Sequence, residues 1–405
     1  MKQEVDVLIV GGGMVGAALG CCLGGTDLSV AVVEGARPPE YDPAQAFDLR
    51  VSALSIASRV IMETVGAWPG IASRRLCPFR RMRVWENNGE TEFCADEIQT
   101  AQLGYIVENR LIQLAFLERV ESLSNVQLFC PVATRKIRYD TNGSSVELED
   151  GSQISARLLV AADGGQSRVR QLSGIGVTAW DYRQHALVIS VETAYAQQDI
   201  TWQRFVPQGP QAFLPLPGPH ASLVWYHSPD EIRRLNSLDD EDLLAELERA
   251  FPDCLGEIRR VAGRASFPLR RQHAQDYVKH GLALIGDAAH IINPLAGQGV
   301  NIGFMGAAAL AEVIVAAARK GRDIASLAIL REYEKKRRRE NLLMMTTTEL
   351  FYRIFSNDHL PVKIFRNLGL GLANRLSPAK KLVMRYAIGL EGNLPKLARG
   401  RALLD

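Results

Sequence analysis

The chain has 405 residues, of which 47% are apolar, and its 47 Lys and Arg side chains nearly balance 45 Asp and Glu, for a formal net charge of +2. This balance argues against a protein that coats nucleic acid, since no large unbalanced basic field is available for phosphates. The apolar content excludes an intrinsically disordered chain, and the length allows two or three domains. The six cysteines form no CxxC pair, which favours a reducing compartment over a disulfide scaffold.

Two long uncharged runs, residues 7–26 and 291–310, have the length of a membrane span. The first run contains seven glycines and follows acidic rather than basic residues. The second contains Asn293, Gln298 and Asn301, which are unfavourable in hydrocarbon. We therefore expect neither a signal peptide nor a membrane-spanning segment.

The N-terminal segment has the pattern of a β–α–β unit in a parallel sheet. A β-branched strand at 5–10 leads into a glycine turn, a helix of small residues and a second strand that ends at Glu34. In the G-x-G-x-x-G turn, Gly11 allows the tight turn, Gly13 lets a pyrophosphate approach the backbone and Gly16 permits close helix packing. Glu34 is placed to bind a ribose diol. The unit predicts a dinucleotide site without distinguishing FAD from NAD.

The rest of the chain predicts a second domain inserted into the first. Alternating aromatic and aliphatic runs between about 175 and 275 predict antiparallel strands, with one amphipathic helix near 239–250. The α/β pattern returns with a strand at 281–285 and a helix at 303–320. A second G-x-G-x-x-G, at 174–179, follows no convincing strand and is discounted. We predict an α/β fold with a discontinuous nucleotide-binding domain (1–72, 104–176 and 277–325), a mostly antiparallel substrate domain (73–103 and 177–276) and a helical C-terminal region (326–405).

Two further motifs follow strands at separate places in the chain. Residues 162–167 read Ala-Asp-Gly-Gly-Gln-Ser, and residues 286–290 read Gly-Asp-Ala-Ala-His. With the N-terminal glycine turn, they match in order the three fingerprints of the class A flavoprotein aromatic hydroxylases, which the chain resembles over nearly its whole length. The resemblance implies a fold similar to para-hydroxybenzoate hydroxylase, with a Rossmann-like FAD-binding domain.

The resemblance also implies FAD as the bound cofactor, NAD(P)H as a transient reductant and O2 as co-substrate. Asp287 is placed to accept a hydrogen bond from a ribityl hydroxyl, and the glycine-rich segment after residue 296 offers backbone amides to the reduced flavin. Arg50 matches the family's arginine near the flavin, with an ordinary surface ion pair as the alternative. Arg168, together with Asp163 and Gly164, matches the family's Asp-Gly motif. The predicted FAD-binding residues are Gly11, Gly13, Met14, Val15, Gly16, Glu34, Arg50, Gln113, Asp163, Gly164, Asp287, Pro294, Gly297, Gly299, Val300 and Asn301. No metal site is expected, because the histidines lack ligand spacing.

Other segments narrow the resemblance. Residues 49–58, 103–109 and 286–301 are similar to the ubiquinone-biosynthesis hydroxylases, and residues 201–205, 211–216 and 221–226 are similar to the bacterial members that act on demethoxyubiquinol. The implied reaction hydroxylates the aromatic ring of a polyprenylated quinol through a flavin hydroperoxide, converting demethoxyubiquinol to demethylubiquinol. The alternatives are a sister hydroxylase for another ring position, a flavin hydroxylase or oxidase of a soluble aromatic, and a non-catalytic flavin-binding scaffold.

Contacts to the substrate are expected from the antiparallel domain. The candidates are Trp202, Phe213, Pro215, Trp225, Tyr226 and His227. For the aromatic residues, a place in the core of the strands is the alternative interpretation. Tyr182 and His227 have the chemistry to accept a phenolic proton, with a structural role as the alternative, and no general base is assigned.

The C-terminal residues 361–405 contain nine Lys or Arg and two acidic residues, a net charge of +7, which leaves −5 for the rest of the chain. Apolar residues at helical spacing make this a basic amphipathic stretch that can lie on an anionic membrane, pack on the protein or contact another subunit. The expected partner is a membrane-resident polyprenyl quinol, with other ubiquinone-biosynthesis proteins and a homo-oligomer as further contacts. We expect a cytoplasmic protein, peripheral on the inner membrane. Arg337–Arg339 is expected to be a solvated helix face rather than a nucleic-acid site.

Overall fold

The computed structural model describes residues 2–86, 89–141, 143–252, 256–293, 299–355 and 377–405. A largely parallel sheet forms the first layer. Its main order is β17 (Val278–Lys279), β18 (Leu282–Leu284), β11 (Gln153–Ala161), β1 (Lys2–Val10), β2 (Val30–Val33) and β8 (Val126–Phe129), with β10 (Ser144–Leu148) and β9 (Thr134–Arg138) added through β11. β1 pairs in parallel with β11 and β2, and β11 pairs in parallel with β18. The turns that follow these strands therefore meet at one edge of the sheet.

Three helices pack together on this sheet. α1 (Met14–Cys22) contacts both α4 (Asn109–Glu121) and α8 (Gly299–Ala318). α8 begins four residues before the predicted start, so Gly303 lies within the helix. A Cβ at this position would come within 2.7 Å of the Val15 side chain, so the glycine allows α8 to approach α1 closely. Among the described residues, α8 is the one helix long and apolar enough to cross a membrane, but 83% of its apolar window is buried inside the protein, which is typical of a core helix.

The second sheet is mostly antiparallel, as the sequence predicts. Its order is β19 (His290–Ile291), β16 (Ile258–Ala274), β12 (Val177–Thr193), β15 (His220–His227), β14 (Gln211–Pro215), β13 (Ile200–Arg204), β5 (Arg81–Glu86) and β6 (Gly89–Cys94). β12 and β16, at 17 residues each, are long strands that pair along most of their length. Among the strands that the structure describes in this sheet, only β13 and β5 pair in parallel.

The second sheet has two unlike faces. α6 (Pro229–Ser237) and α7 (Asp240–Ala250) cover one face, and the Asp239 side chain caps α7 by accepting a hydrogen bond from the Asp242 amide. The core between them is apolar and includes Leu187, Trp202, Phe213, Leu223, Trp225, Leu243 and Leu247. Because side chains alternate along a strand, the residues between these positions point to the other face, which borders a cavity.

The remaining elements connect these layers. A third sheet contains β3 (Val51–Ser55), β7 (Gly104–Glu108) and β4 (Cys77–Phe79), and the other helices are α2 (Ile56–Thr64), α3 (Trp68–Ala72), α5 (Arg168–Leu172), α9 (Leu327–Phe355), α10 (Ser377–Ala387) and short 3₁₀ turns at Ala95–Ile98, Gly286–Ala288 and Lys396–Arg399. Residues 174–179 follow α5 rather than a strand, as their exclusion from the nucleotide site requires. β4 falls in the predicted substrate domain but pairs with the third sheet, and β19 falls in the predicted nucleotide-binding domain but pairs with the second sheet. The exact domain limits therefore stay a prediction.

The prediction that residues 337–339 form a solvated helix face is wrong for Arg337. Its side chain is 5% exposed, and its Nη2 donates a hydrogen bond to Asn341 Oδ1 at 3.1 Å. Tyr333, Arg337 and Asn341 follow one another at four-residue spacing, so they share one side of α9, and that side is buried. Arg339 points the other way and is exposed.

The two faces of the second sheet predict different effects of truncation. Phe213 is fully buried and stacks on Trp202, with ring centroids 5.8 Å apart. We expect Phe213→Ala to lower the free energy of unfolding by about 3–5 kcal/mol, because it leaves a hole beneath α6 and α7. Leu214→Ala, next to it but on the half-buried cavity face, should cost clearly less. Urea denaturation of the two variants checks this, and equal losses would contradict the assigned faces.

Candidate active site

A cavity of about 1830 Å³ lies between the carboxyl edge of the first sheet and the free face of the second. The first sheet contributes the glycine turn and Asp287 to its wall, and the second contributes residues such as Leu214 and Val224. α9 and α10 form a further part of the wall. The cavity therefore brings the predicted nucleotide motifs and the predicted substrate domain into one space.

The glycine turn after β1 is closely packed on one side and open on the other. A Cβ on Gly16 would lie 1.8 Å from the carbonyl oxygen of Gly11, so only glycine fits there. Gly13 has no atom within 4 Å of its ideal Cβ position, and it borders the cavity together with Met14 and Val15. Open space beside the first amides of α1 is what a pyrophosphate requires.

Two side chains predicted from the sequence flank this turn. Gln113 of α4 donates a hydrogen bond from Nε2 to the Gly12 carbonyl at 3.1 Å, so it supports the turn directly. Glu34 lies at the end of β2, where its Cβ would be 2.7 Å from a Cβ on Gly12. Its Oε1 accepts a hydrogen bond from the Ala36 amide at 3.0 Å. The carboxylate is thus held beside the turn, in the position that a ribose diol requires.

The Asp-Gly motif places the Asp163 carboxylate next to the glycine turn. Asp163 Oδ2 accepts a hydrogen bond from the Val169 amide at 3.2 Å, whereas Oδ1 is buried without a partner in the described part of the chain. Gly164, also predicted, borders the cavity. Arg168 is exposed, and its Nη1 donates to the Thr134 carbonyl at 3.3 Å.

Arg170 is a residue that the sequence reasoning missed. It is 4% exposed and donates from Nη1 to the Ala288 carbonyl and from Nη2 to the Gly165 carbonyl, each at 2.9 Å. It therefore joins the Asp-Gly loop to the Gly-Asp loop, and burial lowers the pKa of its guanidinium. The signal in the sequence is its place in the short helix that follows the Asp-Gly motif, although exposed and buried arginines look alike there.

Asp287 follows β18 and borders the cavity, as does Arg50. The Asp287 side chain is exposed to the open cavity, but the protein atoms around it limit its solvation and raise the pKa of its carboxyl, and the positive charge of Arg50 opposes that shift. The two predicted residues thus share one part of the cavity and interact electrostatically. A carboxylate there can accept a hydrogen bond from a polyol chain.

The N-terminus of α8 opens onto the same space. Gly299 and Val300 border the cavity, so the first amides of a 20-residue helix lie near it. The Asn301 side chain is 3% exposed and instead links α8 to the end of β3: Nδ2 donates to the Ala53 carbonyl at 2.8 Å, and Oδ1 accepts from the Ser55 amide at 2.9 Å. Pro294 and Gly297, predicted for the same site, lie outside the described residues.

The predicted substrate residues divide between the two faces of the sheet. Tyr226 contacts the cavity, whereas Phe213 and Trp225 belong to the core under α6 and α7; Trp202 belongs to that core and also contacts the cavity. Pro215 and His227 do not border the cavity. Tyr182 donates a hydrogen bond to Glu349 of α9, and His227 Nδ1 accepts from the Ser228 amide at 2.8 Å, so both have structural partners.

Strand alternation identifies cavity residues that the choice of aromatics missed. They are Met82, Val84, Thr91, Phe93, Thr201, Gln203, Ala212, Leu214, Ser222 and Val224. They lie on alternate positions of β5, β6, β13, β14 and β15. The period of two was available in the sequence, but only the structure shows which of the two faces the helices cover.

Comparison with known proteins decides the family. The model of the FAD binding domain family matches residues 4–347. The chain is 42% identical to the 3-demethoxyubiquinol 3-hydroxylase of Escherichia coli, covering 96% of this chain and 100% of that protein. It is also 42% identical to the ubiquinone hydroxylase UbiL of Rhodospirillum rubrum, covering 98% of this chain and 93% of that one. The chain belongs to this family of FAD-dependent monooxygenases.

A solved structure supports the fold. PqsL of Pseudomonas aeruginosa, described as a probable FAD-dependent monooxygenase, superposes with a TM-score of 0.77 and 23% identity, over 91% of this chain and 99% of that one. The predicted fold class is therefore confirmed, as are the predicted family and its cofactor, FAD. The open space at Gly13, the carboxylate at Glu34 and the amides at the start of α8 fit the pyrophosphate, ribose and ring of that cofactor. The individual FAD contacts stay predictions.

The contrast between Gly13 and Gly16 tests the FAD site. Gly16→Ala should destabilise the protein by about 3 kcal/mol, because the new Cβ meets backbone that cannot move aside. Gly13→Ala should leave the stability of the FAD-free protein within about 0.5 kcal/mol and weaken FAD binding by about tenfold or more, because its Cβ occupies the space left for the pyrophosphate. Thermal unfolding without FAD and titration with FAD measure the two effects. Unchanged FAD affinity in Gly13→Ala would place the pyrophosphate elsewhere.

The raised pKa of Asp287 predicts that the difference in stability between the wild type and Asp287→Asn depends on pH. Its raised pKa means that the folded protein favours the protonated carboxyl, so the ionised carboxylate lowers stability as the pH rises above the ordinary value of 3.8. We expect FAD-free Asp287→Asn to be more stable than the wild type at pH 7, with the gap closing as the pH falls towards 4.

The same variant should bind FAD about tenfold more weakly, because it loses a charged hydrogen-bond acceptor. Unfolding at several pH values and FAD titration check both effects. A variant less stable than the wild type at pH 7 would show that the carboxylate is a stabilising structural group instead.

Proposed function

We propose that this monooxygenase hydroxylates the ring of a polyprenylated quinol, with demethoxyubiquinol as the substrate. The apolar cavity wall beyond the FAD site carries this proposal. Its side chains on the second sheet include Met82, Phe93 and Leu214, and it continues along α9 and α10. A volume of about 1830 Å³ exceeds the usual 300–1,000 Å³ of a small-molecule site and suits a cofactor ring together with a ring that carries a hydrocarbon chain.

The protein's contribution is binding and exclusion of water. FAD, with NAD(P)H and O2, supplies the redox chemistry and the transferred oxygen atom. The amides at the start of α8 stabilise negative charge near the cavity, as an oxyanion site does. The apolar side chains on the sheet and the helices keep water from the reacting ring.

The hydrocarbon chain of the proposed substrate suggests that the protein acts at a membrane. We propose that it is a cytoplasmic protein that acts on the surface of the inner membrane, where a polyprenyl quinol resides. Much of the basic amphipathic stretch lies outside the described residues. In its described part, Lys380 pairs with Glu97 at 2.8 Å and Arg385 pairs with Glu391 at 3.0 Å, so these two cations have partners within the protein. Contacts to other biosynthetic proteins and a homo-oligomer stay predictions.

Quinone profiling of cells tests the substrate. Cells that lack the gene should accumulate demethoxyubiquinone, and the wild-type gene should restore ubiquinone. Ala212→Trp, which fills the cavity from the second sheet, should lower this restoration by at least about tenfold while the purified protein still binds FAD. Ala44→Trp, the same substitution at an exposed alanine outside the cavity, is the matched control and should restore ubiquinone fully.

The other outcomes distinguish the alternatives. A different accumulated intermediate would indicate hydroxylation at another ring position. Normal ubiquinone in the deletion strain would exclude the pathway and favour a soluble aromatic substrate. A wild-type protein that binds flavin but consumes no NAD(P)H with any quinol would indicate a scaffold.

A further inference from the structure

Large exposed apolar side chains gather around the mouth of the cavity. Trp180, Leu343 and Leu382 are 58%, 52% and 61% exposed, and all three also border the cavity. Phe267, at 36% exposed, does the same. Scattered exposed hydrophobic residues need no explanation, but a group around one opening marks an interaction surface.

Four separate elements build this rim. Trp180 lies on β12 and Phe267 on the neighbouring strand β16, while Leu382 lies on α10. On α9, Leu343 and Leu350 are seven residues apart, so they share one side of the helix, and Leu350 is 56% exposed. We call Trp180, Phe267, Leu343, Leu350 and Leu382 the apolar rim.

The rim is fixed to the rest of the protein. Glu349, beside Leu350 on α9, accepts a hydrogen bond from Tyr182 of β12, and Arg271 of β16 lies 3.7 Å from the same carboxylate. Glu349 is 8% exposed, so this link is shielded from water. The apolar side chains of α9 and of the two strands are therefore held in one arrangement rather than exposed by local unfolding.

Basic side chains accompany the rim. Arg183 and Arg270 lie close in sequence to Trp180 and Phe267, Arg339 is one helical turn before Leu343, and Lys381 is next to Leu382; all four are exposed. Asp181 is the acidic residue on the same part of β12, and it lies 3.9 Å from Arg270. A surface with apolar side chains at its centre and cations around them matches the charge of an anionic lipid bilayer.

We propose that the apolar rim docks on an anionic lipid bilayer, with the mouth of the cavity facing the lipid. This rests on the proposed function, because a polyprenyl quinol dissolved in the bilayer then enters the cavity without crossing water. Trp180 lies at the level of the headgroups, and the leucines reach the acyl boundary. The docking surface is the mouth itself, to which the C-terminal basic stretch contributes Lys381 and Leu382.

Vesicle flotation of the full-length holoenzyme tests the proposal. The probes are vesicles of phosphatidylglycerol with phosphatidylcholine, and vesicles of phosphatidylcholine alone. The wild type should float with the anionic vesicles, less at 0.5 M salt, and weakly with the neutral ones. The double variant Leu343→Gln/Leu382→Gln should lower the partition coefficient by about tenfold or more, since it removes two side chains from the lipid contact.

Two single variants make the comparison specific. Leu350→Gln changes a rim residue that does not border the cavity, and Leu172→Gln changes a leucine on α5 with the same 56% exposure but outside the rim. We expect Leu350→Gln to weaken flotation by several fold and Leu172→Gln to leave it unchanged. Equal effects of the two, or none from either, would overturn the proposal.

Two further measurements separate the rival explanations. If the rim is instead an interface between copies of this chain, the wild type will be an oligomer by light scattering and Leu350→Gln will dissociate it, which would overturn lipid docking. Hydroxylation of a short-chain, water-soluble demethoxyquinol in the absence of vesicles tests the proposed function separately. Wild type that hydroxylates this quinol but does not float would contradict the docking surface alone.

Discussion

The close packing of α1 against the turn that follows β1 is the constraint on which the site depends. The Gly16 backbone comes so near to the Gly11 carbonyl that a methyl group would lie 1.8 Å from that oxygen. This approach directs the first amides of α1 to the edge of the sheet, where the turns after β2, β11 and β18 also end. Arg170 then joins two of those turns through buried hydrogen bonds to their carbonyls. A nucleotide site formed from four distant segments is thereby fixed by backbone contacts.

One face of the second sheet contributes to the stability of the fold, and the other face lines the binding cavity. One face is buried with α6 and α7 around Phe213 and Trp225, and it contributes to stability. The other face borders the cavity with smaller and aliphatic side chains such as Ala212 and Val224. A substitution on the cavity face can therefore change what binds without removing the core beneath it. The arrangement explains why Phe213 and Trp225, two aromatic residues predicted to contact the substrate, belong to the core instead.

The sequence predicts the parallel sheet, the inserted antiparallel sheet and the nucleotide motifs because each depends on local patterns. Strand periodicity, glycine spacing and the acidic residue at Glu34 are all visible within short segments. Two features depend instead on distant contacts. Choosing between the faces of β14 requires knowledge of where α6 and α7 pack, and recognising Arg170 or Arg337 as buried requires knowledge of which side of a helix is covered. An arginine next to further arginines looks solvated in a sequence, yet Arg337 is 5% exposed.

The burial of Arg337 connects α9 to the flavin side of the molecule. Asn341 accepts from Arg337 and donates to the Tyr277 hydroxyl at 3.2 Å, and that hydroxyl lies 3.0 Å from His273 Nε2. Burial lowers the pKa of His273 to about 4, with nearby arginines adding to the shift, so the imidazole stays neutral near a buried cation at physiological pH. Tyr333, on the same side of α9, donates to the Leu284 carbonyl at 2.8 Å, at the end of the strand that leads to Asp287. A buried polar network of this kind tolerates few alternative arrangements. The helix that carries two of the five rim residues is thus held in register with the strand that leads to the carboxylate, so the mouth of the cavity and its cofactor end form one unit.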